Sequence, residues 1–533
     1  MACWKMTDKN TFKKVGIASF IMMASVFASR LIGVFREISI AGIGGIQSGV
    51  DAYQIAFVLP EILNHIVASG FLSITFIPIF TGYLTRGKEQ EGYKVFSIIH
   101  NGFGLFLISL ILIAMIRAPQ LVHLIAPGIT DPDTFAKAVR MTRIILPAQF
   151  FFFSGGLLMA IQFSHEKFFI PALAPLIYNI FIIAGGLFLG PFIGMEGFAW
   201  GVLVGAVTGN FALQLIGTCK LNIQYSPVIN FTHPDLIRYT KLTLPLMLGL
   251  TMTFSTELQF KFFGSFLPPG SIAAINYALR ITFLIVGLFG QAVGVASYPF
   301  MAKLAGSGRL DELNQLLNQT LKYIFLVIPV SVLFIVLSHE IVLILFQRWE
   351  FDAQATRITR GILPFFMIGA FAFSAQTIVS RGYYAMQNTL FPTLVVSLCV
   401  ILSVPLTYFL MLSLGARGVA LGLSVSAIIQ CLVLFECWSK KSKNAQKKQV
   451  YFYLLKLLPI SLVIGLILFA SAGFLRQIFD SFTFSGAMNI ALITGTEFLL
   501  IFYAAGRIFK ITEIFLLYEN TYKRIISWKK KLI

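Results

Sequence analysis

Apolar stretches of about 20 residues recur along this chain from residue 15 to residue 506. That feature leaves few folds open. Inside a bilayer no water is available to satisfy backbone N–H and C=O groups, so a spanning segment must be a helix or a strand of a closed barrel. The stretches are continuous and do not alternate with polar residues, which selects helices. The chain is 57% hydrophobic and only 12% charged, which excludes a soluble domain of this length. The longest polar connections run to about 20 residues, too short to house a separate catalytic domain, and an enzyme is not expected. The fold class is all-α polytopic membrane protein.

Fourteen spans are expected, at about 15–40, 52–81, 95–116, 138–162, 171–189, 196–218, 242–263, 272–301, 323–337, 358–380, 392–411, 418–437, 452–474 and 486–506. Segments 52–81 and 272–301 are long for one crossing, which implies tilt or protrusion. The N-terminus, the C-terminus and the loops on their side carry 27 Lys and Arg, whereas the opposite loops carry 6. This asymmetry places both termini in the cytoplasm and accounts for the net charge of +19 without any nucleic-acid partner. Lys13 and Lys14 precede an apolar stretch that ends in a weak cleavage-like VFAS at 26–29, but cleavage there would discard a whole span, so retention is expected. Cys3, Cys219, Cys399, Cys431 and Cys437 show no metal-ligand spacing, and four of them read as packing residues in or beside apolar runs. No phosphate-binding loop, metal motif or cofactor motif is present.

The chain also repeats itself. Pro78 and Pro299, Pro171 and Pro392, Gly197 and Gly418, Ala199 and Ala420, and Gly201 and Gly422 all share a single offset of 221. The ILP at 145–147 recurs at 362–364, at an offset of 217. One repeat contains six spans, an even number, so its copies run in the same direction through the membrane. Two parallel six-helix lobes with a cavity between them follow, 1–220 and 221–440, and segment 441–533 adds two further helices and a basic tail.

Charges inside the spans are the candidate functional residues, since each costs about 2.5–3.5 kcal/mol at a helix centre. The run SRLIGVFRE carries Arg30, Arg36 and Glu37, with Glu37 placed to pair with an arginine. Asp51 stands at the start of span 2, with Glu61 and His65 one turn apart on a single face below it. Arg280 occupies span 8, and Glu257 and Lys261 form an i,i+4 pair on span 7. Arginine matches phosphate oxygens with two parallel hydrogen bonds, so Arg30, Arg36 and Arg280 are expected to converge on a phosphate or diphosphate. A basic run, SKKSKNAQKK, adds a cytoplasmic loop suited to anionic headgroups.

The run SRLIGVFRE, the glycine-rich turn after it, DAYQIAFVLPEIL and FIPIF, with YALRI in span 8, resemble the MurJ (MviN) family of bacterial lipid II flippases, of the MOP superfamily. The resemblance extends over essentially the whole chain. It implies transport of an undecaprenyl-diphosphate-linked glycan from the inner to the outer leaflet of the cytoplasmic membrane, by alternating access of two MATE-like lobes. It also implies a groove for the lipid tail beside spans 13 and 14, and cell-wall synthesis proteins as partners. By position, Arg30, Arg36, Asp51 and Arg280 match the family's functional charges, and Glu37 stands where the family often has an acid. The sequence departs from the family at Asn64, His65 and Ser69, where two arginines and a glutamate are common, and at Leu279, where an acid is common. Those departures bear on which lipid-linked glycan is moved. Two readings compete: a MATE-like exporter of cations, which needs a cavity dominated by acids, and a non-transporting scaffold. With no ATPase motif, the membrane potential or a coupling ion must drive net transport, and Glu257, with Lys261 beside it, is the candidate coupling carboxylate.

Overall fold

The computed structural model describes residues 9–64, 70–250, 255–511, 513 and 514, and every regular element among them is helical. Eleven helices among the described residues are long and apolar enough to cross a membrane. They coincide with eleven expected spans. The other three are the first, second and seventh, the ones that carry most of the charges discussed above.

The chain divides into two compact units, residues 1–273 and 274–533. The first holds α1 (Lys9–Gly44), α2 (Ser48–Ala56), α3 (Val58–Leu63), α4 (Gly70–Leu84), α5 (Glu89–Ile116), α6 (Ala118–Ile125), α7 (Pro132–Ile145), α8 (Ala148–Ser164), α9 (Phe169–Ala184), α10 (Gly190–Ile193), α11 (Glu196–Gly205), α12 (Leu213–Cys219), α13 (Pro234–Leu250) and α14 (Ser255–Gly264). The boundary falls inside α15 (Ser271–Val286), and the second unit continues with α16 (Ala292–Gly306), α17 (Leu310–Phe325), α18 (Val327–Val336), α19 (Ser338–Phe346), α20 (Ala353–Ala385), α21 (Leu390–Leu414), α22 (Ala416–Lys441), α23 (Lys447–Ile478) and α24 (Phe484–Ile508). The repeat divides the sequence at 220, whereas packing divides it at 273, because α13 lies against α4 and α5.

Span 2 is interrupted. The α-helical hydrogen-bond pattern is interrupted at Phe57 between α2 and α3, three residues before Pro60, although Phe57 keeps right-handed helical dihedrals. Proline has no N–H to return to the carbonyl one turn back, so a helix tends to break or kink there. The segment expected as one long crossing is therefore at least two short helices followed by α4. Short π-helical stretches, Gly185–Leu189, Ala206–Ala212 and Gly287–Gln291, join α9 to α10, α11 to α12 and α15 to α16.

The internal repeat is written into the backbone. Left-handed residues recur in pairs 221 apart: Gly87 and Gly308 (φ 70° and 71°), Glu166 and Gln387 (58° and 57°), Gly194 and Gly415 (59° and 59°), and Asn222 and Lys443 (54° and 53°). Each pair sits at the same connection between helices, so the repeat preserves turns as well as apolar runs. Glycine also sets helix packing. Gly197, Gly201, Gly205 and Gly209 fall one per turn along α11 and the stretch after it. A Cβ on Gly201 would lie 2.5 Å from the Phe181 carbonyl oxygen, and one on Gly205 or Gly209 would lie 2.9 Å from the Tyr178 or Ala174 oxygen. Such close approach replaces the hydrophobic drive that is missing between helices in lipid.

The first unit's core is aromatic. Phe76 stacks on Phe80 at 5.5 Å, Phe80 meets Tyr93 at 5.6 Å, and Phe103 meets Phe153 and Tyr239, each at 5.7 Å. Ring pairs at these separations add about 0.5–1.5 kcal/mol beyond area burial. In the second unit, Arg476 of α23 donates from Nε and Nη2 to the two oxygens of Glu340 at 2.8 and 3.0 Å, and from Nη2 to the Val336 carbonyl at 2.9 Å. Glu340 is fully buried, so this forked pair fixes span 13 to α18 and α19.

Candidate functional site

Arg36 lies on α1, between Glu37 of its own helix and Asn179 of α9. Its helix α1 packs along α9, and α9 brings Asn179 to it. Arg36 Nη2 donates to Glu37 Oε1 at 2.7 Å, and Nη1 donates to Asn179 Oδ1 at 3.0 Å. Asn179 is itself held, its Nδ2 donating to the Pro175 carbonyl at 2.8 Å and to Ser29 Oγ at 3.4 Å. The guanidinium is thus aimed by a carboxylate from its own helix and an amide from the next. Those bonds occupy two of its five N–H groups. The expected Arg36–Glu37 pair is present. Asn179 was not anticipated, although a lone amide inside ALAPLIYNIFIIA is the kind of signal that marks such a residue.

Arg30 lies on the same helix but is exposed, while Arg36 is half-buried and Glu37 buried. Arg280, on the part of α15 in the second unit, is half-buried.

Asp51 has a different environment. It is buried on α2, and its two carboxylate oxygens accept the Gly270 N–H at 2.6 Å and the Ala273 N–H at 2.8 Å. A carboxylate there satisfies donors at the start of α15 that the helix cannot pair, and complements the positive end of its dipole. The turn requires glycine at 270, where φ is +87° and a Cβ would collide with the Ile46 carbonyl.

The remaining charges converge. Lys261 on α14 is 1% exposed, with its Nζ 3.5 Å from Glu257 Oε2 and 4.0 Å from Glu61 Oε2. The i,i+4 pair expected on span 7 is therefore part of a three-charge cluster that reaches across to α3. The same ammonium lies 5.7 Å from the Phe260 ring centre. Asn64 is half-buried and directly follows α3, while His65 and Ser69 lie outside the described residues.

Between α23 and α24 the second unit has an apolar cleft of about 390 Å³, lined by Ile460, Val463, Ile464, Ile467, Ile501 and Ala504 among others. One end is closed by Lys456, whose Nζ donates to the Phe509 carbonyl at 2.7 Å. Ser471, in the last third of α23, donates to Glu497, midway along α24, at 2.5 Å, tying the two helices together.

The family model described as lipid II flippase MurJ matches residues 40–488. A probable lipid II flippase of Buchnera aphidicola (subsp. Acyrthosiphon pisum) is 27% identical over 446 residues, covering 83% of this chain and 87% of that one. Among solved structures, a lipid II flippase in an inward closed conformation aligns with a TM-score of 0.73 at 27% identity, over 91% of this chain and 99% of that one. An inward-facing multidrug resistance transporter of the MATE family, MOP superfamily, aligns with a TM-score of 0.63 at 16% identity, over 79% of this chain and 96% of that one, a likeness of fold alone.

Proposed function

The chain belongs to the MurJ lipid II flippase family, and from that premise we propose that it moves lipid II, or a closely related polyprenyl-diphosphate glycan, across the bacterial cytoplasmic membrane by alternating access. The observation that carries the site assignment is the held guanidinium of Arg36, fixed by Glu37 and Asn179 in an otherwise apolar helix. Glu37 offsets its charge, Glu37 and Asn179 together set its orientation, and three N–H groups remain for phosphate oxygens. Arg30 adds a second cation on the same helix, and Arg280 is the candidate cation of the second unit. Twelve of fourteen spans form two parallel six-helix lobes, 1–220 and 221–440, that supply the moving parts, and the cleft between the last two helices, α23 and α24, takes the prenyl tail, as its apolar lining suits.

The MATE-like exporter reading needs carboxylates left over for a cationic substrate. Glu37 is engaged with Arg36, Asp51 with the start of α15, and Glu61 and Glu257 with Lys261. Net drive comes from the membrane potential, worth about 2.3 kcal/mol per charge per 100 mV, or from a coupling ion. Glu257 is our candidate for that ion's carboxylate, the ion taking the place that the Lys261 ammonium holds in this structure. If Glu257→Gln transports equally well under every imposed ion gradient, that role is lost.

The test of the site is complementation of a MurJ-depleted bacterium with wild type, Arg30→Ala and Arg36→Ala at matched membrane levels. Rescue by wild type and loss in the variants is expected. Rescue by all three removes the arginine site, and no rescue by a well-expressed wild type redirects the substrate to another lipid-linked glycan, with Asn64, His65 and Ser69 as the residues responsible.

A further inference from the structure

The side of the membrane opposite the termini is poor in basic residues, yet Arg357, Arg360 and Arg417 line one cavity of about 690 Å³ in the second unit. Arg357 and Arg360 sit three residues apart in the first turns of α20, and Arg417 is the second residue of α22. Two helix N-termini therefore add their positive ends to three guanidinium groups. Among the described residues no carboxylate lines the cavity. Three acids near lining residues are engaged elsewhere: Glu340 is bound by Arg476, Asp352 caps α20 by accepting the Ala355 N–H at 2.7 Å, and Asp480 accepts the Phe482 N–H at 3.0 Å.

The repeat provides an internal control. Arg357 and Arg360 correspond to Arg140 and Arg143 at the offset of the repeated ILP, and Arg417 corresponds to Glu196 at the offset of the glycine pairs. In the first unit Arg140 pairs with Glu196 at 3.1 Å, and Arg143 donates to the Met115 carbonyl at 3.0 Å. In the second unit the acid is an arginine, and none of the three guanidinium groups makes a hydrogen bond or ion pair among the described residues. Like charges gathered this way repel one another, and a bound anion relieves the repulsion.

A further residue narrows the ligand. His339 lines the same cavity and is only 7% exposed. Its Nε2 lies 3.0 Å from the Ser481 carbonyl, which can only accept, so Nε2 carries the proton. Burial holds the imidazole below its ordinary pKa, so the ring is neutral and Nδ1 presents a lone pair. Nδ1 is buried and has no partner among the described residues. An acceptor beside three cations fits an anion that also brings a hydroxyl. The cavity wall includes exposed apolar side chains, Ile358, Leu414 and Phe482, which suit acyl chains better than water.

We propose that this cavity is a binding site for the headgroup of an anionic glycerophospholipid, with Arg357, Arg360 and Arg417 on the phosphodiester and His339 accepting from a headgroup hydroxyl. The site is independent of the transported substrate and of the Arg36 assignment. The loop charge asymmetry puts it at the outer leaflet.

The test uses the full-length protein in neutral detergent, with bound lipid counted by native mass spectrometry during titration with phosphatidylglycerol, phosphatidylethanol (which lacks the hydroxyl) or phosphatidylcholine. Wild type is expected to retain phosphatidylglycerol in preference to the other two. Arg417→Glu, which recreates the pair found in the first unit, is expected to bind it about tenfold more weakly, while Glu196→Gln leaves it unchanged. His339→Leu is expected to abolish the preference for phosphatidylglycerol over phosphatidylethanol. Should Arg417→Glu not purify as a folded protein, Arg357→Gln with Arg417→Gln gives the same reading. Equal phosphatidylglycerol binding by wild type and the arginine variants overturns the proposal. Competition by soluble glycerol 3-phosphate at concentrations matching the lipid overturns the lipid assignment and leaves a soluble phosphate ester as the ligand.

Discussion

Lys261 shows why a charge in this protein must be judged by its neighbours. Burial of a lone ammonium is costly, and two carboxylates at 3.5 and 4.0 Å offset that cost. Removing the cation leaves two partly buried anions facing one another. Lys261→Met is expected to destabilise the protein by about 3–5 kcal/mol, seen as a lower thermal midpoint in detergent. Adding Glu61→Gln and Glu257→Gln to that variant should restore most of the loss; a midpoint that stays low would mean the three groups are not coupled. Half of this arrangement was legible in the sequence. Glu257 and Lys261 are one helical turn apart, so their pairing follows from helix geometry alone. Glu61 lies far upstream in the chain, and only packing brings α3 to α14. The same holds for Arg36, where Glu37 is a sequence neighbour and Asn179 arrives on another helix. Asp51 was expected among the functional charges, and both its oxygens accept backbone N–H groups at the start of α15, a partner that has no side-chain signature.

The helices themselves follow from apolar length, and their contacts follow from what small residues permit. Gly201 lies where α11 touches α9, and the atom nearest to an added methyl would be a backbone oxygen that cannot rotate away. Gly201→Val should therefore separate the two helices, costing about 1–3 kcal/mol or more and lowering the yield of folded protein. Gly156→Ala, where the added carbon meets open space, should be neutral. Equal yields from both variants would show that the close approach does not matter to stability. Helix ends were harder to read. Span 9 was expected from residue 323, but α17 begins at Leu310, because its first turns are amphipathic and lack the continuous apolar run that marks a crossing. Span 2 was expected as one piece, and the break at Phe57 reflects Pro60, whose missing N–H disrupts the helix without interrupting hydropathy.

Across the whole molecule, the strongest sequence signal is the charge asymmetry of the loops. It predicts that a fluorescent protein fused after Asn444 stays cytoplasmic and fluoresces, whereas alkaline phosphatase fused after Asp480 reaches the far side and is active. The reverse pattern would invert every assignment of inner and outer face made above. Apolar run length, loop charge and the internal repeat are properties of the chain as a string, and the bilayer acts on them directly: it demands helices, it biases which loops cross, and duplicated segments fold alike. The all-helical class, the position of eleven apolar helices and the repeat that pairs Gly197 with Gly418 were therefore readable from the sequence, whereas the left-handed turns at Gly194 and Gly415 came from the backbone. Partners that come from distant segments were not. That Glu340 holds Arg476, that Asp51 holds the start of α15, and that Arg357, Arg360 and Arg417 share a cavity lacking the acid present at Glu196 are all facts of helix packing. Electrostatic energy depends on separation in space, which hydropathy and spacing along the chain do not encode.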